Sequence, residues 1–147
     1  MEMENLDPYL ERFSESGRRV LESSLDESQQ RGQFLISPEH ILYAVIKEEP
    51  ELFDATMREH SIDPQEVRLA VEKRLENSRT HTGKGFRIAP ETTEIFKYSM
   101  DKARAGNRRT IEAKDICYIL ATCKYNLVED ILQNPESSFS VFRKNNR

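Results

Sequence analysis

The residues best suited to phosphate chemistry in this chain are Thr82, Gly83, Lys84 and Gly85. A loop that cradles nucleotide phosphates reads Gly-x-x-x-x-Gly-Lys-Ser/Thr, follows a strand and opens a helix, so that backbone amides and the lysine surround the phosphates. Here no strand is expected before the stretch, and Gly85 stands where the pattern needs a hydroxyl residue. We interpret it as a flexible basic linker and expect no ATP hydrolysis and no catalytic residue.

The histidines and cysteines do not form a recognisable metal or nucleophile motif. His40, His60 and His81 are isolated from one another in the sequence. Cys117 and Cys123 are six residues apart, which is about 600° of rotation on a helix, so they point to different sides. Protein zinc sites need clustered ligands. We expect a packed or capping His40, reduced and mostly buried thiols in a cytoplasmic protein, and no metal or other cofactor.

A helix start at Ser37 carries three signals at once. Ser37 can cap the free amides of the first turn, Pro38 suits the first helical position, and Glu39 favours the positive end of the helix dipole. Four apolar residues then fall on one face: Ile41, Leu42, Val45 and Ile46. The sequence therefore predicts an amphipathic helix beginning at Pro38.

The stretch 36–46 recurs 75 residues later as residues 111–121. Several of the equivalent positions are identical, including Tyr43 with Tyr118. Two helical units that cannot bury their apolar faces alone are expected to pack together, here about a pseudo-twofold axis.

Caps, breaks and apolar periodicity predict an all-α domain over residues 1–147, with seven to eight helices and no β-sheet. Two four-helix repeats are expected at residues 12–77 and 88–146, with a loop at 78–89 between them. The predicted helices are 15–30, 38–47, 51–60, 64–77, 90–105, 113–123 and 127–132, with a short last one at 138–146.

Composition narrows the class of partner. The 147 residues are 37% hydrophobic and 33% charged, with a net charge of −4. An acidic balance argues against general nucleic-acid binding, which needs a surface that neutralises phosphates. No apolar run approaches the roughly 20 residues of a membrane span. We expect neither nucleic acid nor membrane as a partner, although a basic run at residues 102–109 could steer an acidic adaptor protein.

Four features resemble the Clp N-terminal domain, the double helical repeat at the front of ClpA-, ClpB- and ClpC-type AAA+ unfoldases. They are Phe13-Ser14-Glu15 at the first helix start, Arg31-Gly32 at its end, the stretch 36–42, which is similar to Ile-Gly-Thr-Glu-His-Leu-Leu, and the second copy. The resemblance covers residues 12–132. It implies a non-catalytic module that docks client proteins and adaptors for AAA+ domains or a Clp protease.

The resemblance to ClpC-type members also implies binding of phosphoarginine-marked proteins. In that family a hydroxyl and helix-start amides receive the phosphoryl group, and a glutamate holds the guanidinium. The matching residues are Ser14 and Glu39 in the first repeat but Ala89 and Lys114 in the second. Only the first site is therefore expected to bind phosphoarginine. The alternative is that Ser14 is a helix cap and Glu39 a partner of the helix dipole.

Tyr43 and Tyr118 occupy the same position in the two repeats. They could line a peptide groove near the pseudo-axis that binds apolar segments of clients. The alternative is that both are core aromatics whose hydroxyls reach water.

Two further functions remain open at the level of sequence. One is a free-standing accessory protein that regulates a Clp protease. The other is an unrelated helical regulator, which salt-dependent binding to DNA or RNA would reveal.

Overall fold

The computed structural model describes residues 2–3, 7–78, 86–122 and 127–137. They form one helical turn, seven longer helices and three short strands, which confirms the all-α class. The helices are α1 (Asp7–Leu10), α2 (Glu15–Gln30), α3 (Pro38–Glu48), α4 (Pro50–Glu59), α5 (Pro64–Glu76), α6 (Pro90–Ala105), α7 (Ala113–Thr122) and α8 (Leu127–Gln133). Cys123, His81 and the short helix predicted at 138–146 lie outside the described residues.

The helix starts follow local chemistry. Three helices have a side-chain acceptor at the residue before them: Ser14 for α2, Asp63 for α5 and, as the sequence predicts, Ser37 for α3. Proline occupies the first helical position in α3, α4, α5 and α6, where its missing N–H costs nothing. Ala89 precedes α6 and supplies no side-chain cap.

A small sheet was not predicted, and the expectation of no β-sheet is wrong in this respect. Strands β1 (Glu2–Met3), β2 (Leu35–Ile36) and β3 (Phe86–Ile88) lie in the order β1-β3-β2. The central strand pairs antiparallel with β1 and parallel with β2. Strands of two or three residues are too short to show a period-2 pattern, so sequence periodicity could not reveal them.

The two repeats exchange equivalent backbone contacts. The Ser14 N–H donates to the Ile111 carbonyl at 2.9 Å, and the Ala89 N–H donates to the Ile36 carbonyl at 3.1 Å. Ser14 and Ala89 are 75 positions apart, as are Ile36 and Ile111. Each repeat thus presents the start of its first helix to the segment before the second helix of the other. Reciprocal contacts of this kind are those expected of a pseudo-twofold arrangement.

The apolar core joins both repeats. Helix α2 packs on α3 and α7, and α6 packs on α7 and α3. Phe13 and Phe96 meet edge to face with ring centroids 5.2 Å apart. At the contact between α2 and residue 111, a Cβ on Gly17 would lie 2.3 Å from the Ile111 carbonyl oxygen, so the close approach requires glycine.

Replacing Ser37 or Asp63 by alanine should lower the free energy of unfolding by about 0.5–2 kcal/mol, because each removes the acceptor for a helix-start N–H. Urea unfolding of the variants measures the loss. Ser23→Ala, a change in the middle of α2 at a half-buried position, is the control and should be neutral or slightly stabilising. No loss in either cap variant would contradict the assigned helix starts.

Candidate functional site

The start of α3, which carries the predicted site residue Glu39, is closed to solvent. Ser37, Glu39 and His40 each have 0% of their surface exposed. These residues lie where α3 meets α5 and the beginning of α6. Because solvent does not reach these side chains, their polar groups must find hydrogen-bond partners within the protein.

His40 completes a capping box with Ser37. Its Nδ1 accepts from the Ser37 backbone N–H at 3.1 Å, and the Ser37 Oγ lies 2.8 Å from the same nitrogen. Because Nδ1 accepts, Nε2 carries the proton and donates to Gln33 Oε1 at 2.7 Å. The Gln33 amide in turn donates to the Leu75 carbonyl at 3.0 Å. Burial, with a smaller contribution from Arg31, lowers the pKa of His40 to about 3, so the ring is neutral and serves as a packed cap.

The second repeat carries an ion pair at the corresponding positions. Asp115 and Arg108 lie 75 residues after His40 and Gln33. The Arg108 guanidinium donates to both Asp115 oxygens at 2.7 and 2.8 Å, and Asp115 Oδ2 also accepts from the Glu112 N–H at 2.9 Å. Asp115 thus caps α7 as His40 caps α3. Arg108 belongs to the predicted basic run, but its charge is neutralised within the chain.

The Glu39 carboxylate already holds a guanidinium, that of Arg74 in α5. Glu39 Oε2 lies 3.0 Å from Arg74 Nη1, and the two side chains are 0% and 1% exposed. Arg74 also binds the Asp130 carboxylate at 2.8 Å and the carbonyls of Asp130 and Asn134 at 3.0 and 2.7 Å. One side chain of α5 therefore links α3 in the first repeat to α8 in the second. Sequence reasoning missed Arg74, although it lies on the inward-facing positions of α5 with Val71 and Leu75.

Ser14, the other residue of the predicted first site, is a helix cap. Its Oγ accepts from the Gly17 N–H at 3.3 Å and lies 3.2 Å from Ser16 Oγ. Ser16 Oγ accepts from the Ala113 N–H at 2.9 Å, across the boundary between the repeats. Ser14 is half-buried, whereas Glu39 is enclosed, so the two predicted ligand groups differ in accessibility.

Tyr43 and Tyr118 lie in different surroundings. Tyr43 is half-buried beneath Arg31, whose guanidinium carbon lies 5.3 Å from the ring centroid. Burial and a hydrogen bond to Glu72 raise the pKa of Tyr43. Tyr118 is 40% exposed, with Lys102 Nζ 4.3 Å above its ring. Only Tyr118 thus offers its ring to solvent-borne partners.

The chain has recognisable relatives in fold and family. Residues 12–134 match the family Clp repeat (R) N-terminal domain. The N-terminal domain of Hsp104 from Candida albicans superposes with a TM-score of 0.70 at 11% identity, over 90% of this chain and 87% of that one. The N-terminal domain of ClpV1 ATPase from E. coli gives 0.69 at 18% identity, over 92% and 83%. The N-terminal domain of ClpD from Arabidopsis thaliana gives 0.61 at 18%, over 87% of each chain.

The matched segment spans most of the chain, which therefore belongs to the Clp repeat N-terminal domain family. This excludes the unrelated helical regulator. The comparison with curated proteins found no match. Within the described part of the chain, no helix is long and apolar enough to cross a membrane, and no group of three or more His, Cys, Asp or Glu side chains is placed to hold a metal ion.

The buried His40 should make stability depend on pH. Its pKa is about 3 in the folded chain and near 6.5 when unfolded, so the unfolded state binds the extra proton between these values. The contribution of neutral His40 to the free energy of unfolding is complete above pH 6.5. It is lost as the pH falls towards 3, by up to ~1.4 kcal/mol per pH unit. Comparing urea unfolding of wild type and His40→Gln from pH 4 to 8 should show a shallower slope in the variant. Equal slopes in the two proteins would refute the assignment.

The Glu39–Arg74 pair should be strongly coupled. Arg74→Met leaves the enclosed Glu39 carboxylate without its guanidinium and should cost about 3–5 kcal/mol of unfolding free energy. Adding Glu39→Gln removes the stranded charge, so the double variant should lose less than the sum of the two single losses. Arg68→Met is the control on the same helix, since Arg68 and its partner Asp54 are partly exposed, and should cost at most about 1 kcal/mol. Additive losses at Glu39 and Arg74 would show that the pair is not coupled.

Proposed function

We propose that this chain is a non-catalytic docking module of a Clp-type AAA+ unfoldase or protease system, which binds client proteins or their adaptors. The observation that carries the proposal is the family match over residues 12–134, supported by N-terminal domains of Hsp104, ClpD and ClpV1 as structural neighbours. Each neighbour is by its name the N-terminal domain of a larger protein, which is called a chaperone for ClpD and an ATPase for ClpV1. A cytoplasmic setting, predicted from the cysteines, is part of the proposal.

The chemistry of the described nucleophiles and bases supports a non-catalytic role. His40 is enclosed, neutral and hydrogen-bonded through both ring nitrogens. Burial raises the pKa of the Cys117 thiol to about 11, so it stays protonated and unreactive at neutral pH. Neither side chain is placed to attack a substrate or to take up a proton from one.

Two forms of the proposal remain distinct. In the first form the module belongs to an unfoldase chain, and in the second it acts as a free-standing accessory protein that regulates a Clp protease. Affinity capture of the tagged protein from its own cells, followed by mass spectrometry, separates them. Peptides of nucleotide-binding domains joined to this sequence indicate the first form, and a separate Clp ATPase or protease subunit bound to it indicates the second.

Recognition of phosphoarginine is a narrower form of the proposal that rests on Ser14 and Glu39. A ligand guanidinium would have to share the Glu39 carboxylate with Arg74 or displace it. Calorimetric titration with phosphoarginine tests this form. A single site that Glu39→Gln abolishes and Lys114→Ala leaves unchanged supports it, whereas no binding, or two equal sites, rejects it.

The docking role predicts binding without turnover. A permanently unfolded client, such as a reduced and carboxymethylated protein labelled with a fluorophore, should bind the purified chain, and ATP should neither be hydrolysed nor change the affinity. Fluorescence anisotropy measures binding, and phosphate release measures hydrolysis. Turnover that persists through repeated purification would contradict the non-catalytic role. Failure to bind unfolded clients, together with failure to capture any Clp subunit, would contradict docking.

A further inference from the structure

In the first repeat, α5 covers the face of α3 that carries Glu39 and Tyr43. Arg74 of α5 binds Glu39, and Glu72 of α5 accepts from the Tyr43 hydroxyl. Glu39 and Tyr43 are four positions apart on α3, so they lie on the same face and one helix packed across that face contacts both. Helix α5 thus places the Arg74 guanidinium against the Glu39 carboxylate and the Glu72 carboxylate against the Tyr43 hydroxyl.

In the second repeat, no helix of the described residues lies across the equivalent face of α7 as α5 lies across α3. The contacts there are looser: the His60 ring meets Tyr118 edge to face at 6.0 Å, and Lys114 Nζ lies 3.8 Å from Glu112 Oε1. Lys114 and Tyr118 correspond to Glu39 and Tyr43, and Thr122 extends the same stripe by one turn. The Lys114 side chain is 59% exposed, Tyr118 is 40% exposed, and Thr122 is exposed as well. Lys102 of α6 adds a second ammonium group 4.3 Å from the Tyr118 ring. We call these four residues the lysine–tyrosine face.

We propose that the lysine–tyrosine face docks an acidic amphipathic helix of a partner protein, in the way that α5 docks on α3 but with reversed charge. A carboxylate at the position of Arg74 would pair with Lys114. A carboxylate at the position of Glu72 would accept from the Tyr118 hydroxyl and face Lys102, and an apolar residue between them would cover the ring. The inference deepens the proposed docking function, and rests on it, by naming the surface and the chemistry of the partner.

Charge argues against residues 138–147 as the occupant, although Phe142 corresponds to the inward-facing Val67. Residues 138–147 carry three basic residues and no acidic one. Counted by the 75-residue offset, Arg147 corresponds to Glu72 and would bring a cation towards Tyr118 and Lys102. Asn146 corresponds to the inward-facing Val71. An acidic partner helix is complementary to this face, and the terminal segment is not.

The probe is a stapled peptide of the α5 sequence, residues 64–76, with Arg68, Lys73 and Arg74 replaced by glutamate. It should bind the full chain in fluorescence anisotropy, and binding should weaken with added salt, because its charge contribution is screened. The same peptide with its native charges should bind roughly tenfold more weakly. Tyr118→Ala and Lys114→Glu should each weaken binding of the acidic peptide by roughly tenfold.

Lys47→Glu is the matched control, because Lys47 lies at the position of Thr122 in the covered repeat and is also exposed. It should change the affinity by less than about twofold. Equal affinity for the two peptides, no binding of the acidic one, or insensitivity to Tyr118→Ala would overturn the proposal. A clear gain in affinity from Phe142→Ser in the full chain would also overturn it, since the terminal segment would then be the occupant. Retained binding of an unfolded client in any of these cases would leave the proposed function standing.

Discussion

The interaction on which the rest of the structure depends is the enclosed contact of Arg74 with Glu39 and Asp130. Removing charges from water is costly, and the cost is recovered only when every group finds a well-placed partner. The terminal nitrogens of Arg74 meet this condition with two carboxylates and two backbone carbonyls, drawn from α3 and from the region of α8, whereas its buried Nε has no partner among the described residues. The position of α5 is thereby tied to both repeats at once. The same contact closes the start of α3.

Around that contact, the repeats use one backbone plan with different chemistry. In the first repeat, the helix cap His40 and the residue that supports it, Gln33, form a neutral hydrogen-bonded pair in surroundings that exclude water. In the second repeat, the corresponding Asp115 and Arg108 form an ion pair in which the arginine is partly exposed. The choice follows solvent access, since an enclosed ion pair requires more compensation than a neutral hydrogen bond.

Another position shows the limit of the internal symmetry. In one repeat, the Ser16 hydroxyl accepts from the Ala113 N–H. The corresponding residues in the other are Glu91 and Pro38, and proline has no N–H to donate, so this hydrogen bond has no equivalent. Within the described residues both Glu91 oxygens are buried without a hydrogen-bond partner. The Glu91 carboxylate stands in the first turn of α6, where the helix dipole partly compensates for its burial.

Local signals were sufficient to predict the helices, because Ser14, Ser37 and Asp63 act through bonds to amides two or three residues away. The 75-residue repeat likewise predicted which helices correspond. The short strands and the role of Arg74 depend on segments far apart in the chain, and no local pattern encodes them. Glu39 is an example: a glutamate at a helix start suggests an exposed ligand group, but Arg74, 35 positions away, binds it inside the protein. Whether Ser14 and Glu39 bind a ligand stays a prediction.

The burial pattern separates a closed repeat from an open one. Where α5 lies on α3, the acid, the tyrosine and the cap are engaged within the chain. Where α7 carries the corresponding face, a lysine and a tyrosine remain accessible. Binding at the first repeat must compete with enclosed contacts that already engage its charges. Binding at the second competes with more exposed ones, those of Lys114 with Glu112 and of Lys102 with the Tyr118 ring. In the docking that we propose, the second repeat is therefore the surface at which a partner gains most from each contact.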